Sequence, residues 1–397
     1  MMKYHSDKKI VIAGAGIGGV TLAAQLASLG IECDIYEQQK LLSEAGFGLN
    51  IQPTAVSTLY RLGLSEQLNA VGVQTRVHRY VDHLGTLLFE EARGIEAGFD
   101  TPQISISRAK LLNLIFSIAK DKQAFHFGSA FSGDFFHKAE WANRLIVGAD
   151  GIHSVVRRAL FPDTTEFNSG GIMLWRGMTI MPRLLDGRTM IIANDENGVR
   201  LVAYPMSKLH DLSAESLINW VILVPMSYET LPDTAINRSQ ATNFLLDLLK
   251  EWHFAWLDLR TVITMSKTIM RTAMVDRQPL AKWSRGRCVL LGDAAHPMFP
   301  VGANGATQSI IDAETLAYAL YEYPDFESAI AAYEYVRIPA VSKIVMANRK
   351  MNERDLMLRN LNPQERSQEI AMTTINYETE TIKEMFGLTP YKNAGLL

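Results

Sequence analysis

Apolar and polar positions follow two different periods along this chain. Lys9 to Ala13 is a short apolar run of strand length, and it passes directly into Gly14-Ala15-Gly16-Ile17-Gly18-Gly19. Val20, Ala23, Ala24 and Ala27 then recur at helical spacing, and Gly30 supplies a helix stop. Glu32 to Tyr36 reads as a second strand, followed by Glu37 and Gln38. Strand, glycine turn, helix, strand and acid in this order form a βαβ unit. Two later apolar strands also run into glycine motifs. Leu145 to Val147 precedes Gly148-Ala149-Asp150-Gly151-Ile152-His153-Ser154, with Arg157 beyond, and Cys288 to Leu291 precedes Gly292-Asp293-Ala294-Ala295-His296-Pro297. After Pro300-Val301-Gly302-Ala303-Asn304-Gly305, the residues Ala306, Ile310, Ala313, Ala317 and Leu320 predict a helix with one apolar face.

The middle of the chain keeps a strand period. Ile172 to Ile180, Arg188 to Ala193, Arg200 to Tyr204 and Trp220 to Val224 are separated by turns such as Asp186-Gly187 and Glu196-Asn197-Gly198. They predict a largely antiparallel sheet, to which Arg76 to Phe89 adds strands. Thr242 to Trp256 predicts a helix whose Phe244, Leu245, Leu248, Leu249 and Trp252 pack into a core. Val275-Asp276-Arg277 with Pro279-Leu280 returns the chain to the first fold. Asn362-Pro363 with Glu365 predicts a last helix start. The expected fold class is α/β, a Rossmann-like dinucleotide-binding domain interrupted by a mostly antiparallel sheet, with helices at the C-terminus. The expected division is 1–75, 104–168 and 276–350 for the first domain, 76–103 and 169–275 for the sheet, and 351–397 for the C-terminal helical segment.

Composition narrows the function classes. The chain has 397 residues, 48% hydrophobic and 20% charged, enough for a sizeable core. A net charge of −3 and the lack of a long basic run argue against a nucleic-acid or anionic-membrane surface. The two cysteines, Cys33 and Cys288, lie far apart in strand-like runs, which fits a reducing, cytoplasmic compartment without disulfides. Met1 to Lys9 lacks the apolar centre of a signal peptide, and no apolar stretch approaches the ~18 residues of a membrane span. No metal-ligand cluster stands out.

The first motif has a specific physical use. Gly14 permits the tight turn, Gly16 lets backbone approach a pyrophosphate, and Gly19 lets the helix pack on the strand. The helix N-terminus offers free N–H groups and partial positive charge to phosphates. Glu37 lies near the ~20-residue offset at which a carboxylate binds ribose hydroxyls, and it disfavours a 2′-phosphate there. This leaves NAD and FAD both open. Other readings also stay open: Asp293 as a helix N-cap, Asp150-Gly151 as a turn, and His153 and His296 as partners of nearby backbone groups.

Taken together, the three motifs in this order resemble the single-component FAD-dependent aromatic hydroxylases, the group containing para-hydroxybenzoate and salicylate hydroxylases. The likeness runs to about residue 350. Gly46-Phe47-Gly48-Leu49-Asn50-Ile51, Arg93-Gly94, Pro102-Gln103-Ile104-Ser105-Ile106-Ser107-Arg108, Asn219-Trp220-Val221 and Pro300 to Ala306 are similar to the phenazine monooxygenase branch. The resemblance implies FAD bound by Gly14 to Gly19 with Glu37 and Gln38. It implies Asp293 on the ribityl chain, Arg108 near the ribityl phosphate, and Asp150 near the pyrophosphate and the path of a transient nicotinamide. It also places the backbone of Gly302, Ala303, Asn304 and Gly305 at the flavin pyrimidine edge, where helix-start N–H groups stabilise the anionic reduced ring.

The implied activity is hydroxylation of an aromatic or polycyclic heteroaromatic substrate. NADH or NADPH reduces the flavin, O2 adds at C4a, and the hydroperoxide passes its distal oxygen to the ring. The cofactor carries this chemistry, so no side-chain nucleophile is required. A single GxGxxG suits a nicotinamide that visits briefly. Candidate pocket residues are Trp175, Arg176, Met178, Tyr204, Met206 and Pro300, although strand alternation prevents both Trp175 and Arg176 from facing the flavin. Between Phe125 and Leu145 the chain is shorter than the family pattern, and Gly128 to Glu140 is poorly suited to the strand pair expected near the adenine. Alternatives at this stage are a monooxygenase acting on a tetracycline-type antibiotic, a flavin-dependent reductase or oxidase, and a non-catalytic flavin-binding protein. Both a monomer and a homodimer are compatible with the sequence.

Overall fold

The computed structural model describes residues 10–42, 46–132, 141, 143–208, 214–229, 236–357, 365, 368 and 369. In chain order its elements begin with β1 (Ile10–Ala13), α1 (Ile17–Ser28), β2 (Cys33–Glu37), β3 (Gly48–Ile51), α2 (Pro53–Arg61), α3 (Ser65–Val71), β4 (Val73–Thr75), β5 (Val77–Asp82) and β6 (Leu87–Ala92). They continue with β7 (Gln103–Ser107), α4 (Arg108–Ala119), β8 (Ala124–Phe127), β9 (Leu145–Gly148), α5 (Val155–Leu160), β10 (Asn168–Pro182), β11 (Thr189–Asn194), β12 (Arg200–Pro205) and β13 (Glu215–Pro225). The last are α6 (Arg238–Leu248), α7 (Leu259–Thr264), β14 (Ile269–Asp276), β15 (Ser284–Arg285), β16 (Cys288–Leu290), α8 (Asn304–Glu322) and α9 (Phe326–Met357).

The first sheet has the order β15-β16-β9-β1-β2-β8, parallel throughout except for the edge strand β15. β1 and β9 are buried along their whole length, as expected of central strands covered on both faces. Helices α1, α4 and α8 pack together beside them, and Val20, Leu22, Leu26, Ile310, Ala313 and Leu316 join one core. Cys33 and Cys288 are buried there as free thiols. A small sheet, β3-β7-β4, stands beside it.

The other large sheet has the order β14-β10-β13-β12-β11-β5-β6. It is antiparallel apart from the β11–β5 pair. Its two faces separate cleanly because side chains alternate along a strand. Trp175, Ile191, Leu201, Ala203, Trp220, Ile222 and Val224 face α6 and α7 and form a core with Leu245, Val262 and Ile263. The predicted helix over Thr242 to Trp256 is displaced. An Asn237–Gln240 capping box starts α6 earlier, and the helix ends at Leu248 with Leu249 as its cap. Trp252 instead lies in the following loop and packs beside Phe254, while His253 N donates to His83 O.

α9 touches both large sheets' surroundings. Its Arg337 pairs with Asp312 of α8, Asn348 donates to Phe299 O, Arg349 binds Asp276 at the end of β14, and Asn352 donates to Gly170 O of β10. The helix is continuous through residue 350. The predicted start at Asn362-Pro363 and most of Gly128 to Glu140 lie outside the described residues. Among the described residues, no helix is long and apolar enough to cross a membrane.

Gly177 of β10 lies opposite Trp220 of β13, and the indole ring occupies the space a Cβ would need. The Trp220 Nε1–H donates to Ser266 Oγ at 2.8 Å, which holds the ring in place. Gly177→Ala is therefore expected to lose on the order of 2 kcal/mol through overpacking. A lowered urea midpoint with an unchanged slope would confirm it.

Candidate functional site

The turn after β1 is set by what its glycines exclude. Gly14 adopts φ +100°, where a Cβ would lie 2.6 Å from Ala149 O. A Cβ on Gly19 would collide with the Gly14 carbonyl, so α1 can close on the strand only with hydrogen there. Gly16, by contrast, has open space, its nearest obstacle being the Arg108 guanidinium at 3.8 Å from a built Cβ. α1 then begins with no side-chain cap and no acid in its first turn. Its N-terminus therefore presents N–H groups to a cavity lined by Gly16, Ile17 and Gly18. Glu37 supports this turn from β2: one carboxylate oxygen accepts from Ala15 N and the other from Gln39 N, both at 2.8 Å. Gln38 is exposed.

The second and third motifs meet the same cavity. Asp150 turns its carboxylate toward the start of α5, accepting from Ser154 Oγ at 2.5 Å and Val155 N at 2.7 Å. Burial raises its proton affinity, against the lowering effect of these bonds. The cavity wall at this point is made by its neighbours Ala149, Gly151 and Ile152. Arg157 of α5 donates to Ala294 O and Ala295 O, which fastens α5 to the Gly292-Asp293 turn. Burial foremost, with nearby Arg277, lowers the Arg157 guanidinium to about 10.

Asp293 lines the cavity and opens to it. Burial raises its carboxyl above the ordinary range; His296 and Arg108 pull it back, and Asp312 adds to the rise. His296 bonds a carboxylate, not a backbone group: its Nε2 is 2.5 Å from Asp312 Oδ2. The same oxygen accepts from Gly292 N at 3.0 Å, and Arg337 Nε donates to Oδ1 at 2.7 Å. His153 instead is exposed and meets the Phe167 ring edge-on.

Beyond Pro300, Gly302 (φ +73°) and Ala303 (φ +55°) take left-handed backbone conformations immediately before α8. α8 also starts without a side-chain cap or first-turn acid. Gly302, Ala303, Gly305 and Pro300 line the cavity, whereas the Asn304 side chain is buried in the protein. Gln52 locks this turn: its Nε2 donates to Gly302 O and its backbone N donates to Thr307 Oγ1, each at 3.1 Å.

The sheet of seven strands roofs the cavity, whose volume is about 550 Å3. Leu174, Arg176, Met190, Ile192, Arg200, Val202, Tyr204, Val221 and Leu223 line it. Trp175 does not: it is fully buried on the opposite face, against Phe244, with its indole N–H bonded to Glu229. Alternation along β10 gives the cavity to Arg176 instead. Met178 shares the Arg176 face but lies beyond the cavity, packed with Met190, Tyr204 and Met206. Met206 is likewise outside the lining.

A polar wall went unread in the sequence. Gln103 Nε2 donates to Asn50 Oδ1 at 2.8 Å and approaches His78 Nε2 at 3.0 Å, and its Oε1 accepts from Arg93 Nε at 2.9 Å. The amide donates, so His78 Nε2 accepts and its proton resides on Nδ1. Burial first, then Arg93, holds His78 neutral. Asn219 Oδ1 accepts from Gly48 N at 2.7 Å, joining the roof to β3. Arg93-Gly94 and Asn219 lie in recognisable sequence motifs, but spacing along the chain does not show that these distant residues converge.

Asp312 gives a pH prediction. Burial alone would raise its carboxyl; His296 and Arg337 outweigh that and hold it below the ordinary 3.8. A depressed folded value means stabilisation that is present above the unfolded pKa and lost as pH falls through the folded one. Asp312→Asn is expected to cost about 3–5 kcal/mol near neutrality, because it leaves the buried Arg337 guanidinium unmatched. The gap from wild type should narrow below pH 3.8; urea midpoints across that range measure it.

Comparison with known proteins agrees with this geometry. Residues 138–348 match the family described as FAD binding domain. Phenazine 1,6-dicarboxylic acid hydroxylase PhzS of Lysobacter antibioticus is 39% identical over 95% of this chain and 98% of its own length. Aurachin C monooxygenase/isomerase of Stigmatella aurantiaca is 29% identical over 87% of this chain and 88% of its own. The crystal structure of Klebsiella pneumoniae HpxO with FAD and uric acid superposes with a TM-score of 0.74 at 22% identity, over 94% of this chain and 93% of that one, a likeness of fold. Sequence match, open glycine turn and paired uncapped helices lead to one assignment: the chain belongs to the FAD binding domain family and is an FAD-dependent aromatic hydroxylase.

Proposed function

We propose that this enzyme uses NADH or NADPH and O2 to hydroxylate a planar, polycyclic heteroaromatic substrate. One observation carries the reading: two uncapped helix N-termini, Arg108 and Asp293 line one side of a cavity whose other side is a mainly apolar sheet face. The first side suits a cofactor with phosphates and an anionic ring; the second suits a flat apolar ring. The 39% identity to a phenazine hydroxylase supports a fused-ring substrate. In this reading 1–75, 104–168 and 276–350 hold the cofactor, and 76–103 with 169–275 cover the substrate.

When bound, FAD supplies the redox chemistry: it takes a hydride from the nicotinamide and activates O2, so that one oxygen atom enters the ring and the other leaves as water. The chain's own residues act around it. The α1 N-terminus and Arg108 attract the phosphates. Asp293 offers a carboxylate to ribityl hydroxyls. The backbone of Gly302 to Gly305 and the α8 dipole stabilise negative charge on the reduced ring. The roof excludes water from the reacting carbon.

The purified protein is expected to be yellow and to oxidise NADH or NADPH faster with phenazines present. Under 18O2, mass spectrometry should find one labelled oxygen in the product. Ring-independent oxidation with no labelled product would refute hydroxylation.

A further inference from the structure

Four methionines line the cavity: Met190 on β11, Met274 on β14, Met298 beyond the Gly292-Asp293 turn, and Met351 on α9. Among the described residues, the lining contains no cysteine and no tryptophan. Both thiols sit in the core, where burial pushes them up, Cys288 to about 12, with Asp34 adding to the rise at Cys33. A thiol must ionise before peroxide attacks it, whereas a thioether reacts as it stands. The methionine sulfurs are therefore the oxidisable groups that face this space.

The four are not equivalent. Asn50 Nδ2 donates to Met190 Sδ at 3.9 Å, which engages a lone pair that an oxidant needs. Met274 is buried and packed with Ile172, Leu174 and Phe299. Met298 and Met351 are half-buried on the cavity wall. Met346 supplies a contrast on the same helix as Met351. It is turned by about 140° around α9 from Met351. It is 50% exposed and lies outside the lining, as does Met265, which is 63% exposed after α7.

We propose that Met298 and Met351 are self-oxidation sites, converted to sulfoxides by hydrogen peroxide born in the cavity when turnover runs without an aromatic ring. With FAD bound and no ring in place, NADH, a proton and O2 yield NAD+ and H2O2 there. The methionine sulfur attacks one peroxide oxygen, so that an S–O bond forms as the O–O bond breaks. The proton on the transferred oxygen passes to the departing hydroxide, which leaves as water. Sulfur is oxidised and peroxide is reduced, electron pair for electron pair. A sulfoxide is polar, so the modified wall binds a flat apolar ring more weakly. This rests on the O2-using part of the reading above and goes beyond it.

The test runs FAD-loaded protein with NADH or NADPH under 18O2 and no aromatic compound, with catalase present to destroy peroxide that reaches solution. A parallel run without catalase measures the peroxide released. Peptide mass spectrometry reads 18O at each methionine, which separates this oxidation from any that occurs during handling. Met298 and Met351 are expected to carry on the order of tenfold more label than Met346 and Met265, since oxidation follows access to the oxidant. Unlabelled H2O2 added without NADH should reverse that order. Phenazine affinity, followed by flavin absorbance, should fall after the ring-free run in wild type and hold in the double variant Met298→Leu, Met351→Leu. The labelling needs no variant, and FAD content checks that the double variant is folded. Equal label on cavity and exposed methionines, peroxide without label at Met298 and Met351, or phenazine affinity unchanged after labelling overturns the proposal and leaves hydroxylation standing. So does hydroxylation of phenazine by an enzyme that makes no peroxide in its absence. If neither peroxide nor a hydroxylated ring forms, the O2 reading falls and the proposal falls with it.

Discussion

Two helices that begin uncapped at the wall of one cavity set the terms for this fold. Each of α1 and α8 begins without a side-chain cap and without an acid in its own first turn. Such ends are favourable only beside water or an anion. The surrounding chain is arranged to keep them so. Gly14 and Gly19 bring α1 close to β1, Gln52 fixes the turn before α8, and Asp312 ties the Gly292-Asp293 turn to the flank of α8. The positive potential is thus built from backbone, with Arg108 adding a side chain.

Most of the cofactor side was legible in the sequence because its constraints are local. A strand, a glycine turn and a helix follow one another within a few residues, and Gly14 and Gly19 each answer a nearby steric demand. Glu37 and Asp150 fell within those motifs, yet their observed bonds are to donors of the protein itself, backbone N–H groups and the Ser154 hydroxyl. A motif identifies the place of a carboxylate but does not tell which donors compete for it.

The substrate side was less legible. Alternation showed that Trp175 and Arg176 point oppositely, but the choice between them depends on which face α6 and α7 cover. That is a tertiary fact. The same holds for the wall of Asn50, His78, Arg93 and Gln103, which four separate stretches of chain bring together. The helix near Thr242 was misplaced because an apolar stripe continues into Trp252, whose side chain reaches the core from a loop. Hydrophobicity marks burial, and burial alone does not distinguish helix from loop.

α9 acts as a tie-rod between floor and ceiling of the active-site chamber. Arg337 grips the helix whose start faces the chamber, while Arg349 and Asn352 grip the strands that close its far edge, and Met351 forms part of the chamber wall between them. The spacing between the two sides is therefore set by the pitch of one helix. Altering its length by a single residue would rotate one set of grips by about 100° relative to the other, so insertions here would be felt as changes in chamber height far from any reacting atom.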